Sequence, residues 1–181
     1  MHWAESSRHS SRETNGAALI AIERITLKTA MVFKDVRLRA LQDSPTAFSS
    51  TIARESQFPD EEWRKRAVRW SSDGSAIFLA MDGDAACGMI GAYEGNEQSA
   101  QVISMWVAPE ARRAGVGKRL VDAVAEWARS RAMRELKLMV TSVNAGAIAF
   151  YYRMGFKKTG NTAVYPNDAA ITEFEMARTL L

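Results

Sequence analysis

The stretch Val102-Ile103-Ser104-Met105-Trp106-Val107-Ala108-Pro109-Glu110-Ala111-Arg112-Arg113-Ala114-Gly115-Val116-Gly117-Lys118-Arg119-Leu120 constrains the fold more than any other part of the chain. Apolar and β-branched residues from Val102 to Val107 make a strand, and Pro109, with no N–H for a sheet ladder, stops it. Val116, Leu120, Val124, Trp127 and Ala128 then recur at the spacing of one helical face. Gly115 and Gly117 join the two elements, flanked by Arg112, Arg113, Lys118 and Arg119. The first N–H groups of a helix have no intrahelical acceptor and the helix dipole favours negative charge there. A glycine-opened helix start among basic side chains is therefore an anion cradle.

Two familiar phosphate motifs fail against this stretch. A Walker A loop needs Gly where Arg112 stands and Ser or Thr where Arg119 stands. A dinucleotide turn needs Gly or Ala at Leu120 and an acidic strand end further on. Arg112-Arg113-Ala114-Gly115-Val116-Gly117 instead resembles the Arg/Gln-x-x-Gly-x-Gly/Ala acetyl-CoA-binding motif of the GCN5-related N-acetyltransferase (GNAT) superfamily. A second segment, Asn144 to Phe156, resembles that superfamily's later strand-to-helix element, with its Asn, its Tyr151 and its closing Gly155-Phe156. The resemblance runs from Ile22 to Leu180 and is strongest between Val102 and Phe156.

It implies specific roles. Main-chain groups from Arg113 through Ala114, Gly115, Val116 and Gly117 to Lys118 hold the pyrophosphate, with Arg112 opening the motif. The strand end at Met105, Trp106 and Val107 pairs with the pantetheine arm, and a backbone N–H there polarises the thioester carbonyl. Asn144 contacts the cofactor arm. The Tyr151 hydroxyl lies near the thioester sulfur and protonates the departing thiolate, since a phenol with an ordinary pKa of about 10 carries its proton at neutral pH. Asn144 and Tyr151 stand about two helical turns apart, on similar sides of one helix. Many relatives carry a Glu base on the fourth or fifth strand, where this chain has Ser104 and Met139. A water relay from Ser104, or one of Glu55, Asp60, Glu61, Glu62, Glu94, Glu173 and Glu175, is left as the candidate base.

The rest of the chain fits one α+β domain over residues 19–181, preceded by a polar tail at 1–18 expected to be disordered. Strands are expected at Ile20 to Leu27, Ala76 to Met81, Ala85 to Tyr93, Leu136 to Thr141, Phe156 to Thr159 and Ile171 to Ala177, with Asp82-Gly83-Asp84 as a hairpin turn. Helices are expected at Ala30 to Gln42 and from Pro59 to Trp70, besides those opening at Gly115 and Asn144. The order is not strictly alternating. It predicts a GNAT-like mixed, mostly antiparallel sheet of six or seven strands flanked by about four helices.

Absences narrow the chemistry. The only histidines are His2 and His9 and the only cysteine is Cys87, so a His-dependent hydrolase, a zinc site and an intrachain disulfide are excluded. No metal site is expected. The net charge is only +3, which gives no global field for nucleic acid. The basic excess is local: seven Lys or Arg against three acids between Pro109 and Arg134, which suits a phosphorylated cofactor. No apolar run reaches the roughly 20 residues of a membrane span, and no signal core is present, so a cytoplasmic location is expected. The reading that follows is an acetyl-CoA-dependent N-acetyltransferase acting on a primary amine of a small molecule or protein, by direct transfer in a ternary complex. A catalytically weak acyl-CoA sensor on the same fold is the alternative. Pairing of two copies through the final strand or the second helix stays open.

Overall fold

The computed structural model describes residues 19–180, so the expected tail at 1–18 lies outside the described residues. These hold seven strands and five α-helices, in the order β1 (Ala21–Arg24), α1 (Ala30–Asp43), α2 (Ile52–Glu55), α3 (Asp60–Trp70), β2 (Ser75–Asp82), β3 (Ala85–Glu94), β4 (Ser99–Val107), α4 (Val116–Ser130), β5 (Glu135–Thr141), α5 (Ala145–Arg153), β6 (Lys157–Val164) and β7 (Thr172–Thr179). One sheet runs β1-β2-β3-β4-β5-β7-β6. Every neighbouring pair is antiparallel except β4 and β5. This is the mixed, mostly antiparallel α+β sheet expected from the sequence.

Strand β3 is buried at every position from Ala86 to Ala92. Period-two alternation means that such a strand is covered on both faces, and the helices packed on it are α1 and α4. Helix α4 buries Val116, Leu120, Val121, Val124, Ala125, Trp127 and Ala128, the stripe read from the sequence widened by Val121 and Ala125. Each large aliphatic side chain so covered contributes about 1.5–3 kcal/mol. On the α1 and α3 side the centre is Trp63, with Phe33 edge-on at 5.7 Å between ring centroids.

What positions the site is a defect in β4. Across the β3–β4 ladder Met89 faces Trp106 while Gly91 faces Ile103, so Ser104 and Met105 together oppose Ile90. Ser104 takes the left-handed conformation, with φ +55°. Such a bulge bends and twists its strand. The parallel pairing of β4 with β5 is correspondingly short, joining only Ser99–Gln101 to Glu135–Lys137. Beyond it the two strands part and leave a cleft.

Candidate active site in the β4–β5 cleft

The cleft has a volume of about 600 Å³. Met105, Trp106 and Val107 of β4 form one wall, the Arg112 to Lys118 loop its floor, and Asn144, Ala147, Phe150 and Tyr151 of α5 the other wall. Ser44 and Ala47, which follow α1, close it above.

The floor is built for an anion. Arg113 (φ +64°) and Gly115 (φ +77°) both take left-handed backbone to turn the chain into α4. Glycine does this without strain. Among the described residues no backbone N–H from Arg113 to Lys118 has a hydrogen-bond acceptor; Arg119 is the first, its N–H reaching the Gly115 carbonyl at 3.1 Å. Gly117 is glycine for a second reason. A Cβ there would lie 3.1 Å from the Phe150 ring and 3.2 Å from the Met105 methyl, so the two walls close on bare backbone. Lys118 is paired with Asp122 at 2.5 Å, while Arg113 and Arg153 also line the cleft.

Arg112 is differently employed. Its Nε donates to the Val107 carbonyl at 2.9 Å and its Nη2 to Asp43 at 2.6 Å, stapling the loop to the end of β4 and to α1. Asp43 also accepts from the Trp106 indole at 2.8 Å. The Trp106 indole, with Ser44 and Arg112, holds the Asp43 carboxyl below its ordinary value despite some desolvation.

Asn144 caps α5 by accepting the Ala147 N–H through Oδ1 at 3.0 Å, which leaves its Nδ2 for a ligand. Tyr151, two turns on, is 8% exposed. Burial alone pushes its phenol above the usual range, so it holds its proton firmly. Its ring sits edge-on between Phe150 and Phe156, at 5.4 and 5.5 Å.

Of the residues expected from the sequence, Met105, Trp106, Val107, Arg112, Arg113, Gly115, Gly117, Lys118, Asn144 and Tyr151 line the cleft; Ala114, Val116 and Ser104 do not. Val116 turns into the core, 2% exposed. Ser104 accepts from Arg37 Nη1 at 3.2 Å, because the bulge presents it to α1. Arg37 in turn makes a two-pronged pair with buried Glu55, at 2.8 and 3.1 Å. Sequence reasoning missed Arg37, Asp43, Phe150 and Arg153. Phe150 alone had a local signal, one turn beyond Ala147 on the same helix. Among the described residues no carboxylate lines the cleft, and no group of three or more His, Cys, Asp or Glu is placed to hold a metal ion.

A family model described as the acetyltransferase (GNAT) family matches residues 38–156. The chain belongs to this family. Among curated relatives it is 38% identical over 99 residues to a streptothricin acetyltransferase from Streptomyces lavendulae, 53% of this chain and 52% of that one. It is 34% identical over 97 residues to human N-acetyltransferase 8, 51% of this chain and 43% of that one. The chain thus spans about half the length of these relatives. A Thermoplasma acidophilum paiA N-acetyltransferase, solved in complex with coenzyme A, shares the GNAT fold, with a TM-score of 0.71 at 19% identity over 89% of this chain and 99% of that one. Among the described residues no helix is long and apolar enough to cross a membrane.

Proposed function

We propose that this chain is an acyl-CoA-dependent N-acetyltransferase, carrying an acetyl group from acetyl-CoA to a primary amine by direct transfer in a ternary complex. The observation that carries the reading is the run of unpaired backbone N–H groups from Arg113 to Lys118, opening into a cleft that ends at Tyr151. Acetyl-CoA supplies a pyrophosphate for that run, a pantetheine arm able to pair with a strand, and an activated acyl group with a thiolate leaving group. The fit is good on each count. The loop offers donors and basic side chains, and Met105 to Val107 are free of β5.

In this reading the N–H groups and dipole of α4 bind the pyrophosphate, and Asn144 Nδ2 steadies the arm. A backbone N–H near the end of β4 donates toward the thioester carbonyl. Tyr151 holds at its hydroxyl the proton that the thiolate takes as its C–S bond breaks, and the amine nitrogen, once bonded to the acyl carbon, releases its own proton through water, which restores the phenol. Ser104 serves through Arg37, fixing the bulge that aims Met105, Trp106 and Val107. The named relatives act on a small molecule or carry only a general N-acetyltransferase name, so a small-molecule amine is the first acceptor class to assay.

Thiol release from acetyl-CoA, followed with a panel of primary amines, tests the reading. Amine-dependent release is the expected result. CoA binding with no release for any amine favours the sensor alternative. A Gly117→Glu variant is expected to bind CoA at least tenfold more weakly, because the new side chain fills the space against Phe150 and sets a negative charge where the pyrophosphate goes. Its melting temperature is expected to fall modestly, because Phe150 and Met105 must give way to the new side chain, an effect that the favourable placing of an acid in a first helical turn partly offsets.

A further inference from the structure

Resting on that reading, we infer that Thr141 and Glu173 form the acceptor anchor, a hydroxyl–carboxylate pair on β5 and β7, next in the chain to the α5 wall of the cleft, that takes a primary alkylammonium group. The two residues face each other across the β5–β7 ladder. The Ser142 N–H reaches the Thr172 carbonyl at 2.8 Å, so 142 and 172 are a hydrogen-bonded pair. By the alternation of an antiparallel ladder, Thr141 and Glu173 are then a non-hydrogen-bonded pair, the type whose side chains stand closest.

Neither side chain has a polar partner among the described residues. Thr141 is 3% exposed, and its Oγ1 has no hydrogen-bond partner among the described residues. A buried hydroxyl without a partner is costly and asks for one. Glu173 is half-buried and makes no ion pair among the described residues. Burial alone raises its carboxyl above the ordinary value, as expected for an acid held without a counter-ion. Glu175, two residues along the same face, is the contrast. It accepts from Thr159 Oγ1 at 2.7 Å and Asn161 Nδ2 at 2.9 Å, so its charge is already engaged.

The pair adjoins the cleft through the backbone, outside its lining. Thr141 ends β5, and its carbonyl takes the N–H of Asn144, a residue that lines the cleft, at 3.0 Å. The β6–β7 loop is tied down nearby: Tyr165 donates to the Phe48 carbonyl at 2.7 Å and Asn167 Nδ2 to the same oxygen at 3.1 Å. Met139, on the face that carries Thr141, is 40% exposed, and Val143 is 60% exposed. An unpaired carboxylate, an unpaired hydroxyl and exposed apolar side chains suit a cationic amine on an aliphatic stem. They do not suit an anion, and a lone carboxylate with a hydroxyl is too few ligands for a hard metal ion.

Calorimetric titration with pentylamine tests the anchor, run on the protein alone and on the CoA-loaded protein, with 1-pentanol as the neutral control. The expected result is binding of pentylamine and not of pentanol, weakened at least tenfold in Glu173→Gln and several-fold in Thr141→Val, while affinity for CoA stays within twofold of wild type. Glu173→Asp, which keeps the charge, is expected to recover part of the loss. If Glu173→Gln does not fold, the near-isosteric Thr141→Val decides. Wild-type amine affinity in these variants overturns the inference, as does a wild type that binds CoA and no amine. A wild type that binds no CoA overturns the proposed function instead, and the titration of the protein alone still reads the anchor.

Discussion

Tyr151→Phe is expected to lower turnover by about a hundred- to ten-thousand-fold, the range for loss of a positioned general acid. The affinity for CoA is expected to stay within about twofold, because the ring remains. The structure makes this substitution clean. Phe150 and Phe156 hold the Tyr151 ring edge-on, and burial is the only influence that shifts its phenol. Removing the hydroxyl therefore removes a proton donor and little packing. Because burial raises the folded-state value, the phenol stays protonated past the ordinary pKa of about 10, and no alkaline loss of kcat from this group is expected below that pH. Steady-state kinetics beside calorimetry on the variant check both halves. A variant with wild-type turnover would remove Tyr151 from the chemistry.

Glu55→Ala is expected to cost about 3–5 kcal/mol, the cost of leaving a buried ion-pair partner uncompensated. Glu55 is 2% exposed and takes both prongs of Arg37, itself 9% exposed, with Arg66 at 3.3 Å on the outer side. Without it Arg37 stays buried and unpaired, and its hold on Ser104 and the β4 bulge loosens. At roughly 2–4 °C per kcal/mol for a chain of this size, the melting temperature falls by about 10 °C. Replacing both partners with apolar residues, Arg37→Met and Glu55→Leu, is expected to cost less than the single change.

The same pair gives a pH dependence with a definite sign. Desolvation opposes ionisation of Glu55, but Arg37, then Ser50 and Arg66, outweigh it and hold the carboxyl below its ordinary value. A depressed acid contributes stability above its unfolded pKa, about 4.3, and loses it as pH falls through the folded value. Thermal melts of wild type and Glu55→Ala are expected to differ most above pH 5 and to converge in acid.

Features set by local periodicity were legible in the sequence. The α4 stripe, the Gly83 hairpin (φ +60°) and the buried Leu136, Leu138 and Val140 of β5 all follow from residues a few positions apart. Strand β1 stops at Arg24, short of Leu27, because Thr26 and Thr29 form a capping box that opens a short turn. Strand β6 runs on to Val164, beyond the expected Thr159. Gly160, at φ +97°, lies in a register irregularity that reads as a turn in sequence and is crossed in the sheet. The short α2 is a single turn with no period to detect.

The cleft divides along the same line. Its floor and α5 wall come from two contiguous segments, so Arg112, Arg113, Gly115, Gly117, Lys118, Asn144 and Tyr151 could be named in advance, while Phe150 between them was not. Ser104 could not be placed, because alternation gives no warning of a bulge. Asp43 meets Trp106 and Arg112 across 63 and 69 residues of chain, and no local pattern announces such a partner.

Titration of the purified protein with acetyl-CoA, and separately with CoA, probes the cradle itself. The expected result is saturable one-to-one binding of both, weakened at least tenfold by Gly117→Glu. A wild-type protein that binds neither would contradict the account of the Arg113 to Lys118 cradle and the reaction built on it.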